Sequence, residues 1–181
     1  MSRHPATKAG IVTKQTEQRD AVDSVLEQWR QRRPDLDASA MGIVGRLQRA
    51  GHLLDSAVAS NLASMDLEPW EFDVLATLRR AGELTAGQLT RASMVTSGAM
   101  TNRVDRLIKR GLVERRPNPH SRRTVLIDLT ADGREVVDEA LLGHIRNLDS
   151  LAGHLSQSDR QQLATLLKRL LIGLGDTSPE T

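Results

Sequence analysis

The sequence predicts a mainly α chain carrying one small β-hairpin, an α+β class. Three observations carry that reading. Aromatic residues make up only 2 % of the 181, so the core must be built from Leu, Val, Ile, Ala and Met. Most of the chain places its apolar residues three, four or seven apart, the spacing of one helix face. One stretch, residues 112 to 129, instead alternates apolar and polar residues on both sides of a proline-broken basic tip, which is the pattern of two strands and a turn.

Taken in order, residues 1 to about 15 are small and polar without a period and read as a disordered tail. Residues 16 to 32 carry Val22, Val25, Leu26 and Trp29 at helical spacing, and Pro34 ends that helix. A helix of about 25 residues begins at Ser39, with Met41, Val44, Leu47, Leu54, Val58, Leu62 and Met65 along one face. That stripe is longer than a small domain covers, which points to a partner chain. A further helix starts at Pro69, carries the apolar Trp70, Val74, Leu75 and Leu78, and stops at Gly82. Thr85 and Gln88 form a capping box for a short helix ending at Ala92. After a turn at "MVT", the helix "SGAMTNRVDRLIKRG" turns Met100, Val104, Leu107 and Ile108 inward. Leu112 to Arg116 and Thr124 to Leu129 form the hairpin, with Val125, Ile127 and Leu129 on one face and Pro117 and Pro119 breaking the turn. Thr130 caps the next helix, and Ser158 with Gln161 opens the last one, whose leucines 163, 166, 167, 170, 171 and 174 make a wide apolar face. Residues 176 to 181 form a loose tail.

Composition excludes several functions. With no cysteine there are no disulfides, thiolate metal sites or cysteine nucleophiles. No run of 18 apolar residues spans a membrane and the N-terminus lacks an apolar signal core, so the expected location is cytoplasmic. No phosphate-binding glycine loop, nucleophile elbow or paired-histidine zinc motif is present. The histidines, 4, 52, 120, 144 and 154, are scattered, and His144 and His154 are not spaced to share one helix face. No cofactor, metal or catalytic residue is expected. Net charge is only +2, yet residues 102 to 123 hold eight basic residues against Asp105 and Glu114; that segment is +6 and the remainder −4. A local basic patch on a near-neutral chain is the footprint of a polyanion partner.

Short helix, tight turn, second helix and hairpin together make a helix-turn-helix with a wing. The second helix would enter the major groove of double-stranded DNA, presenting Ser97, Ala99, Thr101, Asn102, Arg103 and Arg106. Arg122 and Arg123 project from the wing tip, a shape suited to the electronegative minor groove. Arg115 and Arg116 lie on the adjoining strand, where alternation turns one of them inward.

Residues 66 to 135 resemble the multiple-antibiotic-resistance regulator (MarR) family of winged-helix repressors. The stretches that carry the likeness are "EFDVLATLRRAG", "SGAMTNRVDRLIKRGLVERR" and "RRTVLIDLTADG". The family's usual Asp-Arg-Arg wing triplet is here Ser121-Arg122-Arg123. The resemblance implies a homodimer whose N- and C-terminal helices interlock (residues 16–65 and 136–175), two winged helices on a palindromic operator, and Arg122 as the minor-groove residue. The extra N-terminal helix resembles the urate-responsive branch of the family. That likeness implies an effector site made of Trp29, Asp73, Arg103 and Arg115, with an anion repelling Asp73 and shifting its helix against the one carrying Arg103. Release by urate, by another carboxylate or phenolic compound, and constitutive DNA binding without an effector remain distinct readings.

Overall fold

A computed structural model describes residues 18–93, 96–121 and 123–177 of the chain. The expected N-terminal tail, most of the "MVT" turn, Arg122 and the last four residues lie outside that set. Among the described residues there are seven helices and a three-stranded sheet, arranged in two compact units that part between Leu53 and Leu54.

The first unit holds α1 (Ala21–Arg32) and the start of α2 (Ser39–Ala63). Helix α1 begins at Ala21, inside the expected span of residues 16 to 32, because Asp20 caps it. The Asp20 carboxylate accepts the N–H groups of Val22 and Asp23 at 2.8 and 2.9 Å, and Asp23 accepts the Asp20 N–H at 2.9 Å. This reciprocal box satisfies donors that the first helical turn leaves open. Arg46 of α2 braces it with bonds of 2.7 Å to each carboxylate and holds the Asp20 carboxyl below its usual range. Val22 packs where Gly45 has no side chain; a Cβ there would lie 3.6 Å from it. Val25, Trp29, Met41, Ile43 and Val44 stay exposed.

The second unit contains α3 (Pro69–Ala81), β1 (Leu84–Thr85), α4 (Ala86–Ser93), α5 (Ser97–Lys109), β2 (Val113–Pro117), β3 (Val125–Leu129), α6 (Ala131–Ala152) and α7 (Gln157–Gly173). Its aliphatic core joins Leu62 at the end of α2 to Val74, Leu75 and Leu78 of α3, Leu89 of α4, Met100, Val104 and Leu107 of α5, Ile127 and Leu129 of β3, and Val137 of α6. Each is at most 1 % exposed, so every element from α2 to α6 except the short β1 and the edge strand β2 places a side chain in the same dry cluster. Val113 of β2 joins it at 2 %.

The hairpin is part of a larger sheet. Strand β3 is central, with β2 on one side and the two-residue β1 on the other, all antiparallel. The sequence reading missed β1 because two residues are too few to show a period. Thr85 does cap α4 as expected: Gln88 accepts the Thr85 N–H at 2.8 Å and the Thr85 hydroxyl accepts the Gln88 N–H at 3.3 Å. Pro117 closes β2 as its last residue, opposite Val125, and does not break the strand ahead of itself. Strict alternation also fails along β3. Val125 is exposed, and Asp128, expected outside, is only 5 % exposed.

The root of the wing is sewn to the end of α5 and the start of α6. Gly111, with φ of +73°, turns the chain out of α5. The Thr130 hydroxyl donates to the Gly111 carbonyl at 2.7 Å and accepts the Gly133 N–H at 2.9 Å, while the Thr130 N–H donates to the Leu112 carbonyl at 3.2 Å. Gly133 is obligatory here, since a Cβ on it would sit 1.9 Å from the Leu112 carbonyl oxygen.

Helix α7 is capped by Ser156, whose hydroxyl accepts the Asp159 N–H at 3.2 Å; Ser158, the expected cap, lies inside the helix. No residue of α7 is buried, and Leu166, Leu171 and Leu174 are 59, 47 and 75 % exposed.

Gly133→Ala is expected to destabilise the second unit by about 1–3 kcal/mol, the usual cost of forcing an extra methyl into a packed junction. Urea unfolding checks this, and an unchanged midpoint would mean that α6 slides away from Leu112 freely.

Candidate nucleic-acid interface

Helices α4 and α5 form the helix-turn-helix. Thr96 caps α5, its hydroxyl accepting the Ala99 N–H at 3.3 Å, and Met100, Val104 and Leu107 anchor one face in the core. Rotation by about 100° per residue then fixes the rest. Ser97, Gly98, Thr101, Asn102, Arg106 and Lys109 are exposed, while Ala99, Arg103 and Asp105 are half-buried at the margins. The Thr101 hydroxyl donates to the Ser97 carbonyl at 3.0 Å, so its own proton is engaged within the helix. Helix α5 therefore presents an open strip through Asn102, bordered by Arg103 and Arg106 on the α3 side and by Asp105 on the β2 side.

The basic segment is far less free than its charge count implies. Arg106 donates to Glu68 at 2.8 Å and lies 4.6 Å from the centre of the Trp70 ring; Arg103 lies 5.6 Å from the same ring. Glu68 is drawn below the usual carboxylate range by the Trp70 indole N–H and then by Arg106. Arg110 donates to Glu71, which is 3 % exposed, at 2.7 Å, and to both the carbonyl and the carboxylate of Asp66 at 2.9 and 2.8 Å. Asp66 carries a positive φ of 55°, which this double bond holds in place. Arg115 donates to Asp105 at 2.7 Å. Arg116 pairs with Glu114 and also, at 3.0 Å, with buried Asp128, whose carboxylate is bonded from its other side by Arg134 of α6. Glu114 raises the Arg116 pKa further.

Alternation led to the expectation that Arg115 or Arg116 would be buried. Both are exposed, with side chains 44 and 49 % accessible. They do leave β2 on opposite faces, but the sheet outruns the core at that end, so each meets a carboxylate and not an apolar layer.

The wing tip is braced by side chains as well as by its prolines. Asn118 accepts the His120 N–H at 2.9 Å and donates to the Thr124 hydroxyl at 2.8 Å, closing the loop. Ser121, standing where the family has aspartate, accepts the Arg123 N–H at 3.3 Å through its hydroxyl. The tip thus keeps a turn cap without a negative charge beside Arg123, which is exposed; Arg122 lies outside the described residues.

The four residues expected to bind an effector fall in both units. Trp29 is 40 % exposed on α1 in the first. In the second, Asp73 is exposed on α3 and makes no ion pair among the described residues; Arg103 faces Trp70, and Arg115 faces Asp105. The carboxylate that meets the Arg115 guanidinium is thus on α5 and not on α3. Sequence reasoning read Trp70 as an apolar residue of its helix, and it does pack against the core, but its polar role was missed. Its position three residues before Asp73, at the start of the helix preceding the helix-turn-helix, was the available signal. Among the described residues no cluster of histidines and carboxylates is able to hold a metal, and no helix is long and apolar enough to cross a membrane.

A family model described as "MarR family" matches residues 65–124, from the start of α3 to the wing tip. The transcriptional regulator PecS of Dickeya dadantii is 34 % identical over 152 residues, 82 % of this chain and 92 % of PecS. The chain belongs to the MarR family. Its fold agrees: a mutant of Escherichia coli MarR complexed with operator DNA superimposes with a TM-score of 0.67 at 28 % identity, covering 74 % of this chain and 96 % of that one. The structure of Bordetella bronchiseptica BpsR, described as regulated in DNA binding by 6-hydroxynicotinic acid, matches at 0.63 and 26 % identity over 71 % of this chain and 97 % of that one. This MarR-family protein is a DNA-binding transcriptional regulator, not an enzyme.

Within that family setting, Arg110 reads as a structural member of the basic patch. Arg110→Ala is expected to lower stability by about 3 kcal/mol, because it leaves the buried Glu71 carboxylate without its cation. Thermal unfolding checks this; a loss of DNA affinity at unchanged stability would place Arg110 at the DNA instead.

Proposed function

We propose that the protein is a homodimeric repressor that binds a palindromic operator and leaves it when a small anionic or aromatic effector, urate or a similar compound, is bound. The observation that carries the reading is the open strip of α5 beside a braced, uncharged-capped wing tip, in a segment of +6. Ser97, Ala99, Thr101, Asn102, Arg103 and Arg106 serve the major groove, and Arg122 and Arg123 the minor groove. Two copies related by a two-fold axis would read half-sites about one turn of DNA apart, an inverted repeat of roughly 16–20 base pairs. The apolar, unburied α7 and the exposed Met41, Val44 and Leu54 supply the surface for the second copy. A cytoplasmic location follows from that role.

The effector reading rests on Trp29, Asp73, Arg103 and Arg115. The geometry adds a physical step to it. An anion reaching the Arg115 guanidinium competes with the Asp105 carboxylate, and Asp105 belongs to α5. Binding of the anion therefore loosens a strut between the wing and the recognition helix, which couples the two sites. The carboxylate and phenolic effectors compete for the same guanidinium, so urate is one occupant of a general anion site.

Fluorescence anisotropy on the DNA flanking the protein's own coding region, with and without urate, tests the reading directly. Release at micromolar to millimolar urate is expected; tight binding that urate leaves unchanged would move the effector to another anion, and no binding would remove the operator assignment. Arg115→Ala should abolish the response while sparing DNA affinity, and a surviving response would sink that residue's role. Arg122→Ala should weaken binding and flatten the salt dependence by about one counterion; unaltered affinity would take Arg122 off the DNA.

A further inference from the structure

Trp70 does little of what a core tryptophan does. It sits in the first turn of α3 and is only half-buried, and its indole N–H donates to the Glu68 carboxylate. Two arginines from the neighbouring α5 lie over its ring, Arg106 at 4.6 Å and Arg103 at 5.6 Å from the centroid. Glu68 fastens Arg106 from the side at 2.8 Å. One aromatic plate on α3 therefore lies under both guanidinia along the margin of α5, and the N-cap carboxylate beside it tethers Arg106 alone.

We propose that Trp70 is a positioning residue for DNA recognition, holding Arg103 and Arg106 in the orientation in which they meet base edges. This rests on α5 being the recognition helix, as set out above. The physical reason is entropic. A free arginine loses its rotamer entropy when its guanidinium is fixed on a base. A ring that already confines the guanidinium removes part of that loss, while its flat face leaves the N–H edge open to an acceptor. Contacts to phosphates need no such order, because a mobile cation satisfies a line of charge equally well. Trp70 consequently contributes to discrimination between sequences and hardly at all to non-specific attraction. Glu68 acts in the opposite sense on Arg106, since it has to be given up before that guanidinium engages DNA fully.

The test compares Trp70→Leu, which keeps apolar bulk but has no π-face, with Trp70→Phe, which keeps one. Each full-length variant is titrated on a fluorescein-labelled duplex enriched from a random-sequence pool by the wild-type protein, and on a shuffled duplex of equal composition. Trp70→Leu is expected to weaken binding to the enriched duplex about three- to thirtyfold, the range that a pair of cation–π contacts spans. Binding to the shuffled duplex and its salt slope should stay as in the wild type, and Trp70→Phe should recover part of the loss. In an Arg103→Ala/Arg106→Ala background, Trp70→Leu should have no further effect. Equal weakening on both duplexes, no recovery by phenylalanine, an undiminished effect in the arginine-free background, or no effect at all would each overturn the proposal. If Arg103→Ala/Arg106→Ala alone left the enriched duplex bound as tightly as before, the recognition-helix assignment itself would fall, an outcome distinct from the others. The Glu68 carboxylate adds one more readout: Glu68→Gln should tighten binding to the enriched duplex, and a weakening there would contradict the restraining role of Glu68.

Discussion

The close approach of Gly133 to the Leu112 carbonyl is the constraint on which the placement of the wing depends. With no side chain at 133, the first turn of α6 lies directly against the backbone that leaves α5, and a Cβ would be 1.9 Å from the oxygen. Thr130 uses that proximity. Its hydroxyl bridges the Gly111 carbonyl and the Gly133 N–H, so a single side chain ties the end of the recognition helix, the root of the wing and the helix that follows. Leu112, just ahead of β2, and Leu129, at the end of β3, then enter the core. The root of the hairpin is thereby held against the end of α5 by this junction, while the surface pair of Arg115 and Asp105 adds an exchangeable strut further along the wing. If helix and wing both contact DNA as proposed, a pre-set junction between them would reduce the reordering that binding requires.

A second principle concerns the arginines. Eight basic residues in one segment read as a uniform field, but position sorts them into different tasks. Arg110 neutralises buried Glu71 and anchors the turn at Asp66; Arg116 shares buried Asp128 with Arg134. Those carboxylates are nearly removed from water, where an unpaired charge is costly, so these arginines are committed to the fold. Arg103 and Arg106 at one margin of α5, and Arg115 of β2 at the other, have partners that stay in contact with water, none of them fully buried. Exposed pairs are weak and exchangeable, and weak pairs suit residues that must change partners when a polyanion or a small anion arrives.

Much of this was legible in the sequence, for reasons tied to particular residues. The α3, α5 and α6 boundaries followed from Pro69, Gly82, Gly111 and Thr130, whose backbone chemistry acts locally. The core face of α5 followed from Met100, Val104 and Leu107, because helical period and burial agree there. What failed depended on long-range geometry. The strand at Leu84 and Thr85 exists only because β3 is beside it. Burial of Asp128 requires Arg116 and Arg134 to converge on it, and no local pattern announces that. Helix α1 starts at Ala21, inside the span of 16 to 32 read from the sequence, because Asp20 and Asp23 cap each other and Arg46 of α2 secures them, a partner that local spacing does not announce. Of the site, the exposed strip on α5 was readable from period alone, whereas the partners of its arginines were not: Trp70 and Glu68 are more than thirty residues from Arg103 and Arg106 in sequence.

The two margins of α5 are tied to different neighbours, and the difference matters for regulation. On one side Asp105 is bound to Arg115 of β2; on the other Arg106 and Arg103 rest on Glu68 and Trp70 of α3. The sign of the charge on α5 is opposite in the two cases. On the proposed reading, an anion at Arg115 would displace the negative residue of α5 and leave that margin untethered, whereas DNA at Arg106 would displace Glu68, the N-cap residue of α3, and gain the cation. A small anion and a nucleic acid would then act on the same helix through unlike exchanges, one removing a strut and the other substituting one partner for another. Met100, Val104 and Leu107 anchor α5 in the core apart from both margins, so such exchanges would change its edge contacts and leave its packing in place.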